Sequence, residues 1–301
     1  MVAKNIPGQG FLFEEPPAFV EELTFKPMQY PVWTENKANL VRKYLRFFVF
    51  ITHHGTYIDA FTGPQEPDKP ETWAAKLVIE NYPRWMRNFF LCELDPKKIE
   101  QIHSMVDSQP PPLQINREPK RSFSVKHGDF NDKLDEILSS GAITEKEATF
   151  CLLDQRTFEC DWNSVKRLAF HKKNDDSNKI ELFYFLGVSW LHRAIAGLKN
   201  NPDKKIAAWW GREDWAALAD AKVSSIVETM TRRFRDELGY KYAYAYPIYG
   251  REEGEGRIMY YMIHTSDHPE APKLMQRAYR QAVAPDETQE QLAMEFGTPM
   301  E

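Results

Sequence analysis

Short apolar runs alternate with helix-like stretches through the middle of the chain, and this pattern limits the possible folds more than any other feature. After Gly55, an apolar run, a turn and a helix-like stretch follow one another about five times. Because each helix between two such strands must cross back over the sheet, the pattern predicts a parallel β-sheet with helices on both faces, an α/β fold. The predicted strands are 56–61, 88–92, 122–127, 148–153 and 180–186, and the predicted helices are 73–81, 96–107, 132–138, 162–172 and 190–198.

The last third of the chain departs from this alternation. A loop or insertion begins near Asn200, and a helix is predicted at 223–238. Two strand-like runs then follow at 240–249 and 258–265, with only a short glycine-containing connection between them, which predicts an antiparallel hairpin. A last helix is predicted at 270–284. The sequence therefore predicts five parallel strands followed by a terminal antiparallel pair.

The two ends of the chain are expected to lie outside this sheet. Residues 1–30 are rich in proline and show little periodicity, so they are predicted to form an arm. A helix is predicted to start near Thr34 as its N-cap and to end at His53. One α/β domain is thus expected at 31–284, with an insertion at 199–239 and a polar tail at 285–301.

Composition limits the location and the partners of the protein. The longest apolar runs are much shorter than the roughly 18–20 residues of a membrane helix, and the N-terminus lacks the apolar stretch of a secretory signal, so we expect a cytoplasmic protein with no membrane contact. With 39 Lys and Arg against 44 Asp and Glu, the chain lacks the positive charge of a nonspecific nucleic-acid binder. The three cysteines show no CxxC spacing and are expected to be reduced and structural. They are Cys92, Cys151 and Cys160.

The turn after the first predicted strand is the first candidate site. It contains Asp59, Phe61, Gly63 and Pro64. Open α/β sheets bind ligands at the carboxyl ends of their strands, and a glycine in the turn lets the backbone approach a ligand closely. A tight strand-to-helix connection would have the same sequence, so this alternative remains open.

Carboxylates follow the second and third predicted strands. Glu93 is placed to accept hydrogen bonds from both hydroxyls of a ribose, because two oxygens in one plane match a vicinal diol. Asp95 is expected to cap the helix that begins at Pro96. For Glu93, the alternative is an electrostatic role at that helix N-terminus. Asp129 follows the third predicted strand and is also a candidate ligand-binding residue. For Asp129, the alternative is an N-cap or Asx turn at the start of the next helix.

Two further patterns have competing interpretations. His264 and His268 have a zinc-like spacing, but Pro269 and the strand-like run before them disfavour the helix that would bring them together, so no metal site is predicted. The run 240–246 places four tyrosines on one face of a strand, which indicates core packing or a surface for stacking bases. The second interpretation would make Arg232, Arg233 and Arg235 a nucleic-acid contact.

The strand ends resemble the S-adenosylmethionine (SAM) binding motifs of class I methyltransferases, whose sheet is also completed by an antiparallel pair. The resemblance implies SAM as cofactor. Asp59, Phe61 and Gly63, with Pro64 beside them, would shape the methionine end, although Gln65 stands where a second glycine is usual and narrows that space. Glu93 would bind ribose, with Leu94 against adenine, and Asp129 and Phe130 would bind the adenine amino group and ring. After the fourth strand, Asp154 would orient an acceptor amine or hydroxyl and Gln155 would supply a carbonyl, although the Pro-Pro of amino-methylating enzymes is absent.

The chain also resembles the three-Cys-motif partner (TcmP) family over most of residues 31–280. The segments that carry this resemblance are 31–37, 44–48, 57–64, 73–77 and 153–154. The resemblance implies a bacterial protein with a three-Cys-motif protein as partner, and it supplies no reaction.

Two functions therefore fit the sequence. One is a SAM-dependent methyltransferase whose acceptor, a nucleic acid or a partner protein, is unknown. The other is a noncatalytic nucleotide- or partner-binding module of a bacterial multi-gene system. A third, nucleotide-dependent nucleic-acid processing, rests only on the arginine and tyrosine cluster.

Overall fold

A single mixed sheet forms the centre of the protein in the computed structural model, which describes residues 32–33, 36–66, 68–113, 118–155, 158–174, 177–188, 191, 194–195, 204–250 and 257–282. Over these residues the sheet has eight strands in the order β1-β7-β8-β6-β5-β2-β3-β4. The strands are β1 Val32–Trp33, β2 Gly55–Asp59, β3 Met86–Glu93, β4 Ser122–His127, β5 Thr149–Leu153, β6 Glu181–Gly187, β7 Tyr242–Gly250 and β8 Arg257–Ser266.

The predicted topology is confirmed. Strands β2 to β6 pair in parallel, whereas β8 pairs antiparallel with both β6 and β7. The hairpin therefore closes the sheet with β8 inserted between β6 and β7. The short strand β1 pairs in parallel with β7 and was not predicted, because two residues carry no detectable period.

Helices cover both faces of the sheet. They are α1 Lys37–Thr52, α2 Ala74–Ile79, α3 Pro96–Asp107, α4 Phe130–Leu138, α5 Trp162–Ala169, α6 Lys204–Trp210, α7 Val223–Asp236 and α8 Ala271–Gln281, with 3₁₀ helices at Pro70–Thr72 and Glu213–Ala219. Helices α1, α2, α3 and α8 pack on one face, and α4 to α7 pack on the other. The first core lies between the sheet and α1, α2, α3 and α8, and the second core lies between the sheet and α4 to α7. Side chains of β5 alternate between them, with Phe150 and Leu152 in the first core and Cys151 and Leu153 in the second. Burial on both faces explains the continuous apolar runs in β5 and β6, whereas the edge strand β4 is only partly buried.

Several boundaries differ from the predictions for local reasons. Helix α1 starts at Lys37 after Asn36, and it ends as predicted at His53, which takes a left-handed conformation with φ 57°. The segment predicted as a loop or insertion contains α6 and a 3₁₀ helix, because Ile206, Trp209 and Leu218 are buried in the second core. Of the helix predicted at 190–198, only Leu191, Ala194 and Ile195 are described, and they are helical.

The remaining predictions concern the two ends of the chain and the three cysteines. The N-terminal arm at 1–30 and the tail at 285–301 lie outside the described residues. All three cysteines are buried and unpaired, as predicted, and burial raises the pKa of the Cys92 thiol to about 12. Within the described residues no helix has the length and apolar character needed to cross a bilayer.

Candidate functional site

The carboxyl ends of β2, β3, β4 and β5 meet around one cleft of about 670 Å³. This is the edge of the sheet at which the sequence predicted a ligand site. Helix α6 adds a further wall that the sequence did not predict. The residues that line the cleft are Ala60, Phe61, Gly63, Gln65, Glu93, Leu94, Asp95, Lys98, Gly128, Asp129, Phe130, Asn131, Asp132, Asp154, Phe158, Glu159, Asp161, Lys204, Lys205 and Ala208.

The turn after β2 contributes to the cleft through Phe61 and Gly63, whereas Asp59 lies behind it. The Asp59 carboxyl is buried, with 2% of the residue exposed. It accepts hydrogen bonds from the Tyr57 hydroxyl at 2.7 Å and from the Phe61 amide at 3.2 Å. Asp59 borders a smaller pocket of about 20 Å³ that also touches Gly63 and Gln65. Pro64, which follows Gly63, is buried and is not among the cleft-lining residues.

Glu93 holds the turn after β2 against the end of β3. Its Oε2 accepts from the Gly63 amide at 2.8 Å, and its Oε1 accepts from the amides of Leu94 and Asp95 at 2.8 and 2.9 Å. A Cβ on Gly63 would collide with Glu93 Oε2 and with the side chain of Lys98, so this close approach requires glycine. A carboxylate has about four acceptor positions. One therefore remains for a ligand, and this geometry does not favour the predicted contact with both ribose hydroxyls.

The adenine-side predictions have mixed outcomes. Leu94 is 64% exposed and lines the cleft, so an apolar surface is available there. Asp129 is exposed and caps α4, where Oδ1 accepts from the Asn131 amide at 2.8 Å; the N-cap alternative is thus present in the structure. Phe130 is only 2% exposed and packs against Phe61, with ring centroids 6.2 Å apart. Phe130 lines the cleft, but this burial does not favour stacking on a ligand and makes it chiefly a core residue.

Asp154 joins the cleft to the smaller pocket. Its Oδ1 accepts from Lys37 Nζ at 2.6 Å, and its Oδ2 accepts from Gln65 Nε2 at 3.3 Å. Gln65 lines both cavities, and the narrowing expected at this position stays a prediction. Gln155, by contrast, is 1% exposed, and its Oε1 accepts from the Cys160 amide at 3.0 Å. Its side chain therefore supports the loop after β5, whereas the predicted contribution of Gln155 was a carbonyl.

Asn131 is a site residue that the sequence did not reveal. Its Oδ1 accepts from the Asp161 amide at 3.0 Å and from the Ser164 hydroxyl at 2.8 Å. Its Nδ2 donates to Asp129 Oδ1 at 2.9 Å and to the Glu159 carbonyl at 2.8 Å. Asn131 therefore fixes the loop after β5 to the start of α4. An asparagine in the first turn of a helix was the one available signal, and it does not specify partners about thirty residues away.

The cleft is predominantly acidic. Seven carboxylate side chains line it, against three lysines. Burial raises the pKa of Asp161, and the nearby charges of Asp129 and Asp132 raise it further. A cleft with this charge attracts cations and repels polyanions. The carboxylates are Glu93, Asp95, Asp129, Asp132, Asp154, Glu159 and Asp161, and the lysines are Lys98, Lys204 and Lys205.

The predicted arginine patch is not formed as a unit. Arg233 is 3% exposed, with its guanidinium 3.9 Å from the Trp162 ring centroid and hydrogen-bonded to Glu237. Arg232 and Arg235 are exposed. The helix pattern could not show that Arg233 faces the core, because arginine is usually at the surface.

The tyrosine run lies partly in the core and does not share one face as predicted, because Tyr240 and Tyr246 belong to the hydrophobic clusters on opposite faces of the sheet. Tyr240 and Tyr246 are buried, and the Tyr240 hydroxyl donates to the Ile180 carbonyl at 2.7 Å. The burial of these two rings and the hydrogen bond of Tyr240 favour a structural role for the tyrosines over base stacking.

The histidine pair does not form the helical arrangement that zinc spacing needs. His264 lies in β8 and is bonded to Glu181, with 2.9 Å between Nε2 and Oε1. His268 follows the strand. The interpretation of this run as a strand is confirmed.

No protein-family profile and no curated protein sequence matches the chain. Among solved structures, one similar protein is described as a candidate methyltransferase from Thermobifida fusca YX, with a TM-score of 0.45, 13% identity and coverage of 78% of this chain and 81% of that chain. Another is a DUF574 family protein from Streptomyces avermitilis MA-4680, with a TM-score of 0.41, 12% identity and coverage of 77% and 82% respectively.

Proposed function

We propose that the chain is a SAM-dependent methyltransferase that binds the adenosyl group of SAM in the cleft. The observation that carries this proposal is the convergence of Gly63, Glu93, Leu94 and Asp129 from three strand ends on one cavity of about 670 Å³. The order of the seven longer strands agrees with the resemblance to class I methyltransferases.

The residues present fit the adenosyl group better than the methionine group. Exposed Leu94 offers an apolar face for a base, and Glu93 retains one acceptor position for a ribose hydroxyl. Both hydrogen bonds from Asn131 to Asp129 end on Oδ1, so Oδ2 can accept a hydrogen bond from the adenine amino group. SAM carries a positive sulfonium, which an acidic cleft favours, and it would supply an electrophilic methyl group there. The methionine end would have to pass Gln65, which stands between the cleft and the pocket beside Asp59.

Calorimetric titration with S-adenosylhomocysteine tests the proposal. Leu94→Glu replaces the apolar face proposed for adenine with a carboxylate that the base would strip of water, and it leaves the fold intact because Leu94 is 64% exposed. We expect it to weaken binding at least tenfold, which is about 1.4 kcal/mol. Leu113→Glu is the matched control, since Leu113 is 46% exposed and lies away from the cleft. Absence of binding by the intact protein would overturn the proposal and favour the noncatalytic module.

A further inference from the structure

Lys98, in the first turn of α3, is a half-buried cation in the wall of the cleft. Among the residues that the structure describes, its side chain forms no ion pair and no hydrogen bond. The other two lysines of the cleft differ from it, since Lys204 is exposed and Lys205 has an interaction partner. A lysine in the first turn lies at the positive end of the helix dipole, where it does not stabilise the helix. The ammonium of Lys98 is therefore available to a ligand.

The stem of Lys98 lies along the turn that follows β2. A Cβ built on Gly63 would lie 2.9 Å from Lys98 Cβ and would also collide with Lys98 Cδ. Gly63 lines both the cleft and the smaller pocket beside Asp59. The methionine end of SAM is expected at this turn, so Lys98 is a cation that contacts the expected position directly.

The backbone donor at this turn is already used. Successive backbone amides in turns often bind anions, but the Gly63 amide donates to Glu93 Oε2 at 2.8 Å. The side-chain amide of Gln65 is also used, because its Nε2 donates to Asp154 Oδ2 at 3.3 Å. A carboxylate that enters the turn must find another donor. Lys98 offers one, since an ammonium carries several N–H groups.

The charges of SAM make such a donor necessary. Its sulfonium and its α-ammonium are positive, and both suit a cleft that is lined by seven carboxylates. Its α-carboxylate is negative, and the same seven side chains repel it. An ion pair with a lysine offsets this repulsion, and its hydrogen bond is stronger than one between neutral groups.

We propose that Lys98 binds the α-carboxylate of the methionine group of SAM. This assignment rests on the proposed function and extends it, because it names the residue that recognises the amino-acid end of the cofactor.

Calorimetric titration with two ligands tests the assignment. One is S-adenosylhomocysteine, and the other is decarboxylated S-adenosylhomocysteine, which lacks only the carboxylate. Lys98→Met removes the charge and keeps an unbranched stem against Gly63. It should raise the dissociation constant of S-adenosylhomocysteine about fivefold or more. The decarboxylated ligand should bind the variant within about twofold of the wild type, or more tightly, since a positive charge near its ammonium is lost.

The matched control is Lys97→Met. Lys97 precedes Lys98 in the same helical turn, is exposed, and lines an open groove beside Trp73 instead of the cleft. Both ligands should bind this control as they bind the wild type. Lys98→Arg keeps the charge and should retain the binding of S-adenosylhomocysteine. Because the two ligands are compared on one variant, any change in its stability affects both equally.

Equal weakening of both ligands in Lys98→Met, or no weakening of S-adenosylhomocysteine, would overturn the assignment and leave the proposed function standing. A loss in Lys97→Met as large as that in Lys98→Met would also overturn it, because a general loss of positive charge would then explain the effect. An intact protein that binds neither ligand would overturn the proposed function together with the role of Lys98.

Discussion

The raised pKa of the buried Asp59 carboxyl, which lies behind the cleft, gives a direct experimental test. Burial raises the pKa of its carboxyl to about 7, because removal from water disfavours the charged form by more than the hydrogen bonds from Tyr57 and Phe61 favour it. The charges of Asp154 and Glu93 raise the pKa further. The unfolded chain would titrate at the ordinary value of 3.8.

The difference between the two pKa values sets the sign and size of the effect. Between about pH 4 and pH 7 the folded protein keeps the proton on Asp59 while the unfolded chain has lost it. The free energy of unfolding therefore falls as pH rises through this window. A shift of about three pKa units corresponds to about 4 kcal/mol, which is the stability lost by pH 8.

Asp59→Asn removes this titration and keeps the shape of the side chain. We expect the variant to gain stability over the wild type as pH rises from 4 to 8, by up to about 4 kcal/mol, measured by urea unfolding with tryptophan fluorescence. Tyr57→Phe should act in the opposite direction, because loss of the Tyr57 hydrogen bond raises the pKa of Asp59 further and extends the fall in stability to higher pH. A difference between Asp59→Asn and the wild type that stays constant across this pH range would refute the reasoning.

Three further substitutions test the contacts around the cleft. Gly63→Ala should lower the free energy of unfolding by about 1–3 kcal/mol, because its Cβ would collide with Glu93 and Lys98; an unchanged urea midpoint would contradict the close approach. Asn131→Ala should cost about 2–3 kcal/mol and increase protease cleavage within 158–161, since it loses two hydrogen bonds to that loop, at the Glu159 carbonyl and the Asp161 amide, and one to Ser164 of α5; protection equal to that of the wild type would argue against the clamp. Gln65→Ala should strengthen S-adenosylhomocysteine binding about three- to tenfold, since the exposed amide between the two cavities is removed; weaker binding in calorimetry would show that Gln65 contacts the ligand instead.

The helix caps show how much local sequence determined. Asp95 and Pro96 start α3 as predicted, with Asp95 accepting from the Lys97 amide, because a cap needs only residues that are adjacent in the chain. The apolar runs predicted the parallel strands for a similar reason, since burial is written into the sequence of each strand by itself. The hairpin followed from the short connection between the last two runs. The cleft at the strand ends follows from this topology.

The partners of the charged side chains were decided only by the tertiary structure. Glu93 looked like a ligand for a diol, yet its carboxylate is largely used by three backbone amides, one of which comes from a different strand end. Arg233 looked like part of a surface patch, yet it is buried against Trp162. Lys37 and Asp154 are 117 positions apart in sequence, and no local pattern connects them. Periodicity specifies which face of an element is buried, but a hydrogen bond or ion pair between distant residues depends on the relative placement of several elements, which only the packed sheet and helices fix.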